Sequence, residues 1–163
     1  MLEKAGKQLL FLCPRRFMKL ICYARENDEV PFLEYMAKYE LLDSDSEKEI
    51  ELKVKHILHI KDVLIYLFEH KGSYNLSMTE QYKGREIGIL KIKEGKTLVR
   101  ICFYTIDGEE IILLGGFDKP NKYGNKAKGK NLNKMIQEAL DTFEFYKDDY
   151  LKNRKSVPIP FEL

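Results

Sequence analysis

Apolar residues recur along this chain with two different periods, and the switches between them mark its elements. Met18 to Tyr23 (MKLICY) reads as a short strand. Pro31 opens a short helix at the first position, where a missing N–H costs little. Phe32, Tyr35, Met36 and Tyr39 give that helix an apolar face at spacings of three and four. Ser46 and Glu49 form a capping-box pattern, and Gly72 supplies a stop. Between them Ile50, Val54, Ile57, Leu58, Leu64, Leu67 and Phe68 keep the helical period, which predicts a helix of roughly 25 residues.

A polar loop over 73–83 then leads into alternating segments. These predict strands over about 86–93, 97–106 and 109–117, joined at Glu94-Gly95-Lys96 and Asp107-Gly108, the second a strong hairpin signal. After a loop over 118–130, Asn131 is expected to cap a last helix reaching about residue 152. Its buried stripe is Leu132, Met135, Ile136, Ala139, Leu140 and Phe143. Val157-Pro-Ile-Pro-Phe161 cannot continue a helix and reads as an extended tail. The order β-α-α-β-β-β-α with short hairpin links indicates an α+β fold: a three-strand antiparallel meander plus an N-terminal strand, packed against a helical pair and a C-terminal helix. The main domain spans 18–155, with an extension over 1–17 and a tail over 156–163. Met18 offers an alternative start; otherwise the first residues form a helix that packs on the domain.

Composition changes this picture little, but charge changes it a good deal. The 163 residues, 44% apolar and 12% aromatic, are enough for one packed core without a metal or disulfide. Cys13, Cys22 and Cys102 form no CxxC pair, and Cys22 and Cys102 sit in apolar runs as small core residues. A signal peptide and a membrane span are not expected, so the protein reads as soluble and cytoplasmic. The net charge of +2 hides a split. Residues 26–51 hold ten acids and two bases (−8), 83–100 six bases and two acids (+4), and 118–134 six lysines and one acid (+5). Such asymmetry favours a polyanionic partner, although solvated faces of opposite sign would read the same way.

The cations carry the candidate chemistry. Residues two apart share a strand face, so Ile87, Ile89, Lys91 and Lys93 point one way while Leu90 and Ile92 point into the core. Arg100 shares a face with Cys102 and Tyr104. With a suitable register, Lys91 and Arg100 become cross-strand neighbours whose repulsion a bound phosphate would relieve. Periodicity alone leaves a second reading open, an outer sheet face carrying Lys and Arg for solubility. Lys96 sits in the turn. The loop with Lys119, Lys122, Tyr123, Lys126 and Lys128 mixes cations with an aromatic, which suits phosphate contact and base stacking on RNA, or simple solvation.

Other patterns are weaker. His56 and His59 are three apart with no third metal ligand suggested nearby. His70 falls near a helix end, where a cation is favoured. Gly115-Gly116 lacks the phosphate-loop pattern, no GxSxG elbow occurs, and the acidic run matches no calcium loop.

Two segments together resemble the phage-derived, HigB-like branch of the RelE/ParE toxin superfamily. They are Leu90-Lys91-Ile92-Lys93-Glu94-Gly95-Lys96-Thr97-Leu98-Val99-Arg100 and Ile111-Ile112-Leu113-Leu114-Gly115-Gly116-Phe117-Asp118-Lys119. Tyr23 through Pro31-Phe32-Leu33-Glu34 resembles that branch's opening, and the helix with Ile136 and Ala139 its last helix, so the resemblance covers about 18–150. The chain departs from it at Gly115, where the family has His, at Pro120, where it has a second Lys, and in a Lys/Gly-rich stretch replacing a Thr-Pro.

The resemblance implies a toxin of a bacterial toxin–antitoxin pair that cuts messenger RNA in the ribosomal A site, without metal or cofactor. Its partners would be a cognate antitoxin and the ribosome. Carried over by position, Arg100 would stabilise charge on the phosphate, Lys91 would be a base or second stabiliser, and Lys119 would hold the phosphate. Tyr123 is a stacking or acid candidate, with Lys93, Lys96, Lys122, Lys126 and Lys128 on RNA. Two alternatives stay open: a gyrase poison of the same fold that cleaves nothing, and an inactive RNA- or protein-binding module.

Overall fold

A computed structural model describes residues 18–120 and 126–162, with the side chains of 120 and 126–128 left aside; residues 1–17, and whatever was expected of them, lie outside the described residues. The chain forms the expected α+β architecture, with more strands than the meander and N-terminal strand alone. The strands are β1 Lys19–Tyr23, β2 Thr79–Glu80, β3 Gly88–Glu94, β4 Thr97–Ile106, β5 Glu110–Pro120 and β6 Ser156–Pro158. The helices are α1 Pro31–Met36, extended by a 3-10 turn Ala37–Tyr39, α2 Glu47–Glu69 and α3 Lys126–Asn153. The sheet order is β2-β3-β4-β5-β1-β6. β3, β4 and β5 are the antiparallel meander, and β1 adds to β5 in parallel. The two additional strands come from segments that read as loop and tail. β2 pairs with the start of β3, and β6 pairs antiparallel with β1. Their pairing depends on where an open sheet edge lies, which is a long-range fact that local periodicity does not carry.

Each face of the sheet buries its own cluster. Leu90, Ile92, Val99, Ile101, Phe103 and Leu113 face α1 and α2, meeting Phe32, Ile60, Leu64 and Leu67. Ile87, Ile89, Cys102, Ile112 and Leu114 face α3, meeting Leu132, Ile136, Leu140 and Phe143. Alternation along the strands assigns these faces. Cys22 and Cys102 are both fully buried free thiols. Burial pushes the Cys22 thiol up to about 12, so it packs as a neutral apolar group. No helix among the described residues is long and apolar enough to cross a membrane.

α2 starts where its capping box predicts: Ser46 Oγ accepts from Glu49 N, and the Glu49 carboxylate accepts from Ser46 N. It ends with Gly72 N donating to Leu67 O and Gly72 at φ +66. Its buried stripe differs from expectation. Ile60, Leu64 and Leu67 are buried, whereas Ile50, Val54 and Leu58, at spacings of four, face outward. An apolar residue on a helix shares the stripe's period yet can fall on its flank, and an exposed leucine by itself is ordinary. Leu58 is 54% exposed. Leu58→Glu is therefore expected to change unfolding free energy by no more than about 0.5 kcal/mol. Leu64→Ala should cost roughly 2–5 kcal/mol, both read from denaturant melts.

α3 begins at Lys126 rather than at Asn131, and Met135 is largely exposed instead of buried. The rest of its expected stripe packs on the sheet, extended by Tyr150. Lys147, almost fully buried, reaches Glu86, Glu144 and Asp148 and ties the helix to the start of β3. Arg85 does the same through Asp141 and Gln137.

Candidate functional site

The α3 face of the meander changes character within one step along the strands. The rung Ile89–Cys102–Gly115 is apolar and lies under α3. The next rung on that face is Lys91–Arg100–Phe117, and the one after it Lys93–Leu98–Lys119. The register thus makes Lys91 and Arg100 direct cross-strand partners, as the alternation allows, and sets Lys119 diagonal to Arg100. Four of these six positions are cationic and none is acidic. Lys91, Arg100 and Lys119 are half-buried, while Lys93, and Lys96 in the adjoining turn, are exposed. Arg100 Nη1 donates to the Val99 carbonyl at 3.1 Å, which steadies the guanidinium without neutralising it. Among the described residues Lys91, Lys93 and Arg100 form no ion pair. Like charges directly opposite one another oppose folding by a few tenths of a kcal/mol or more.

Acids are not lacking nearby in sequence, but they turn to the other face. Glu94, last in β3, is only 6% exposed and lies against α2. There its Oε1 meets His59 Nδ1, and its Oε2 meets His56 Nε2 at 3.4 Å. Asp118, between Phe117 and Lys119, accepts from the Tyr35 hydroxyl at 2.6 Å and from Lys38 Nζ at 2.5 Å. Burial first, then this hydrogen bond and the Asp118 charge, push the Tyr35 hydroxyl far above the ordinary tyrosine range, so it stays a donor. Both carboxylates are therefore matched on the α1/α2 side, and neither is available to neutralise the cations of the α3 side.

A β-bulge is what brings Lys119 to the cationic face. Along β4 and β5 the pairing runs Cys102 to Gly115 and then Phe103 to Leu113, so Leu114 is an extra residue in β5. Ile112 faces α3; strict alternation would put Gly116 and Asp118 there too. The extra residue shifts the phase, and Gly115, Phe117 and Lys119 take that face instead, a common use of a bulge. Gly115 adopts φ +147, a conformation that side chains disfavour, and a Cβ on it would lie 2.5 Å from Phe143. Phe143 thus leaves no room for a side chain at this position.

Glu94, Asp118 and the bulge were not read from the sequence as functional features. Glu94 looks like a turn residue, and only the spacing of His56 and His59 hints at a shared partner. That partner corrects the expectation of an isolated histidine pair. Its two oxygens are each directed to a different ring, and among the described residues no group of three His, Cys, Asp or Glu side chains is arranged to hold a metal ion. Removing the carboxylate leaves both rings without it. Glu94→Ala is expected to lower stability by about 1–3 kcal/mol, read by thermal melting, because a satisfied buried group is replaced by an unfilled site. Tyr123 and Lys122 lie outside the described residues; Lys126 and Lys128 start α3, but their side chains are not described. No protein-family model matches the chain, and no curated protein matches it.

Proposed function

We propose that this protein is an RNA-cleaving toxin of a toxin–antitoxin pair that acts on messenger RNA held in the ribosome, with Arg100 and Lys91 as its central phosphate-binding pair. The observation that carries the reading is the Lys91–Arg100 rung: two cations directly opposite each other, with no acid among the six positions of the two rungs. Such a pair is unfavourable in the free protein and becomes favourable once an anion lies between its members. The resemblance of both segments to the HigB-like branch supports the choice of RNA over other polyanions.

The chemistry follows from where charge develops. The ribose 2′-oxygen attacks the adjacent phosphorus, the P–O5′ bond breaks, and the products are a 2′,3′-cyclic phosphate and a free 5′-hydroxyl. Negative charge builds on the non-bridging oxygens as attack proceeds, so fixed donors aimed there lower the barrier most. Arg100 offers a planar fork to two of those oxygens. Lys91 stands across the strand as a second stabiliser, or as a neutral amine that takes the 2′-proton and returns it to the departing 5′-oxygen. Lys119 holds the phosphate from the neighbouring strand, and Lys93 and Lys96 extend the path for flanking phosphates. A cognate antitoxin is the partner that would restrain the activity.

The test is to map messenger 5′ ends after incubation with purified protein, with and without ribosomes. New ends bearing 5′-hydroxyls that need ribosomes are the expected result. Toxicity in cells without any cleavage would turn the reading to a gyrase poison, and absence of both would leave a binding module.

A further inference from the structure

We propose that the cleft at the open edge of β5 holds a single nucleobase bearing an exocyclic amino group, and so selects the nucleotide next to the phosphate on Arg100. This rests on the RNA reading above. β1 pairs with β5 only as far as Leu113, so beyond that point no strand among the described residues pairs with the β5 edge. A cleft of about 360 Å³ straddles this edge, with Glu34 and Tyr35 of α1 on one side and Thr142 and Phe143 of α3 on the other. Gly116 and Phe117 form part of its floor.

Three features fit a base. The walls are aromatic, and stacking on aromatic rings is how single-stranded RNA bases are held. The floor is kept low by glycine: a Cβ at Gly116 would lie 2.6 Å from the Tyr35 ring, as one at Gly115 would clash with Phe143. The polar groups then choose among bases. The Tyr35 hydroxyl donates to Asp118, and the Thr142 hydroxyl donates to the Glu138 carbonyl. The Glu34 carboxylate, which forms no ion pair among the described residues, remains as an acceptor. A carboxylate takes two parallel N–H donors from guanine, one amino group from adenine or cytosine, and meets mainly carbonyl oxygens on uracil.

The cleft also lies at the right distance from the cations. Phe117 borders it and is the cross-strand partner of Arg100. Paired Cα atoms in an antiparallel ladder are about 4.5–5.5 Å apart, which is within the reach of one nucleotide from phosphate to base.

The experiment uses the full chain and four 2′-O-methyl dinucleotides that differ only in one base, with binding followed by NMR titration. Guanine is expected to bind tightest and uracil weakest, by roughly tenfold. Glu34→Gln should flatten that order. Ala139→Leu, which narrows the cleft from the α3 side, should abolish base preference while its melting temperature shows that it folds. Arg100→Ala should weaken all four alike and keep the order. Equal binding of the four, no binding at millimolar probe, or wild-type preference in Ala139→Leu would each overturn the slot. Ribosome-dependent cleavage alongside one of those results would remove the slot and leave the nuclease standing; base-selective binding with no cleavage would do the reverse.

Discussion

Replacing Arg100 with alanine is expected to slow ribosome-dependent cleavage of messenger RNA by roughly 100- to 1,000-fold while the protein stays folded. The size follows from the role. A donor already fixed where charge develops contributes about 2.7–4 kcal/mol to lowering a barrier of this kind. The folded state loses much less, since the Arg100 side chain makes one hydrogen bond among the described residues, to the Val99 carbonyl, and its removal relieves repulsion with Lys91. Arg100→Lys should fall between wild type and alanine, keeping the charge but losing the fork that grips two oxygens. Primer extension in a defined translation system reads the rate, and a melting curve on the same preparation reads the fold. A folded Arg100→Ala protein that cuts at the wild-type rate would end the assignment. If Lys91 and Arg100 act on the same phosphate, the double alanine variant should lose less than the sum of the two single losses.

What was legible in the sequence was whatever a short stretch decides by itself. The Ser46–Glu49 cap, the turn at Gly95, the hairpin at Asp107-Gly108 and the two-residue alternation of β3 and β4 all signal locally, and together they set the Lys91–Arg100 register. What was hidden depended on a partner far away in the chain. Leu58 and Ile60 are both apolar on one helix, but only the position of the sheet makes Ile60 core and Leu58 surface. Val157 became a strand residue because β1 leaves an edge for it. Glu94 reads as a turn acid until α2 supplies two histidines. In β5, the period of two predicts the wrong face for everything after Leu114, because one unpaired residue resets the phase. The glycine pair was the only sign, and a glycine pair has many causes.

That bulge is the point at which the fold and the candidate site depend on the same residue, so Gly115→His should damage both. Two costs combine at this position. The backbone at φ +147 belongs to a region that non-glycine residues occupy at a cost of about 1–3 kcal/mol. The side chain must also enter space that the Phe143 ring fills, with the Cβ itself only 2.5 Å from that ring, and such overpacking costs about 1–3 kcal/mol more. Together they amount to roughly 2–6 kcal/mol, a drop of roughly 4–24 °C in melting temperature for a chain of this size. The protein has two ways to respond, and they leave different traces. It can keep the bulge and push Phe143 out, loosening α3 from the sheet. Or it can restore regular alternation, which sends Phe117 and Lys119 to the α1/α2 face and exchanges Lys119 for Asp118 beside Arg100. In the second case cleavage falls far more than stability does, because a carboxylate now neutralises the guanidinium. Phe143→Ala added to Gly115→His separates the two: it recovers melting temperature if steric conflict with the ring is the main cost. Cleavage returns with it only if the bulge has been kept.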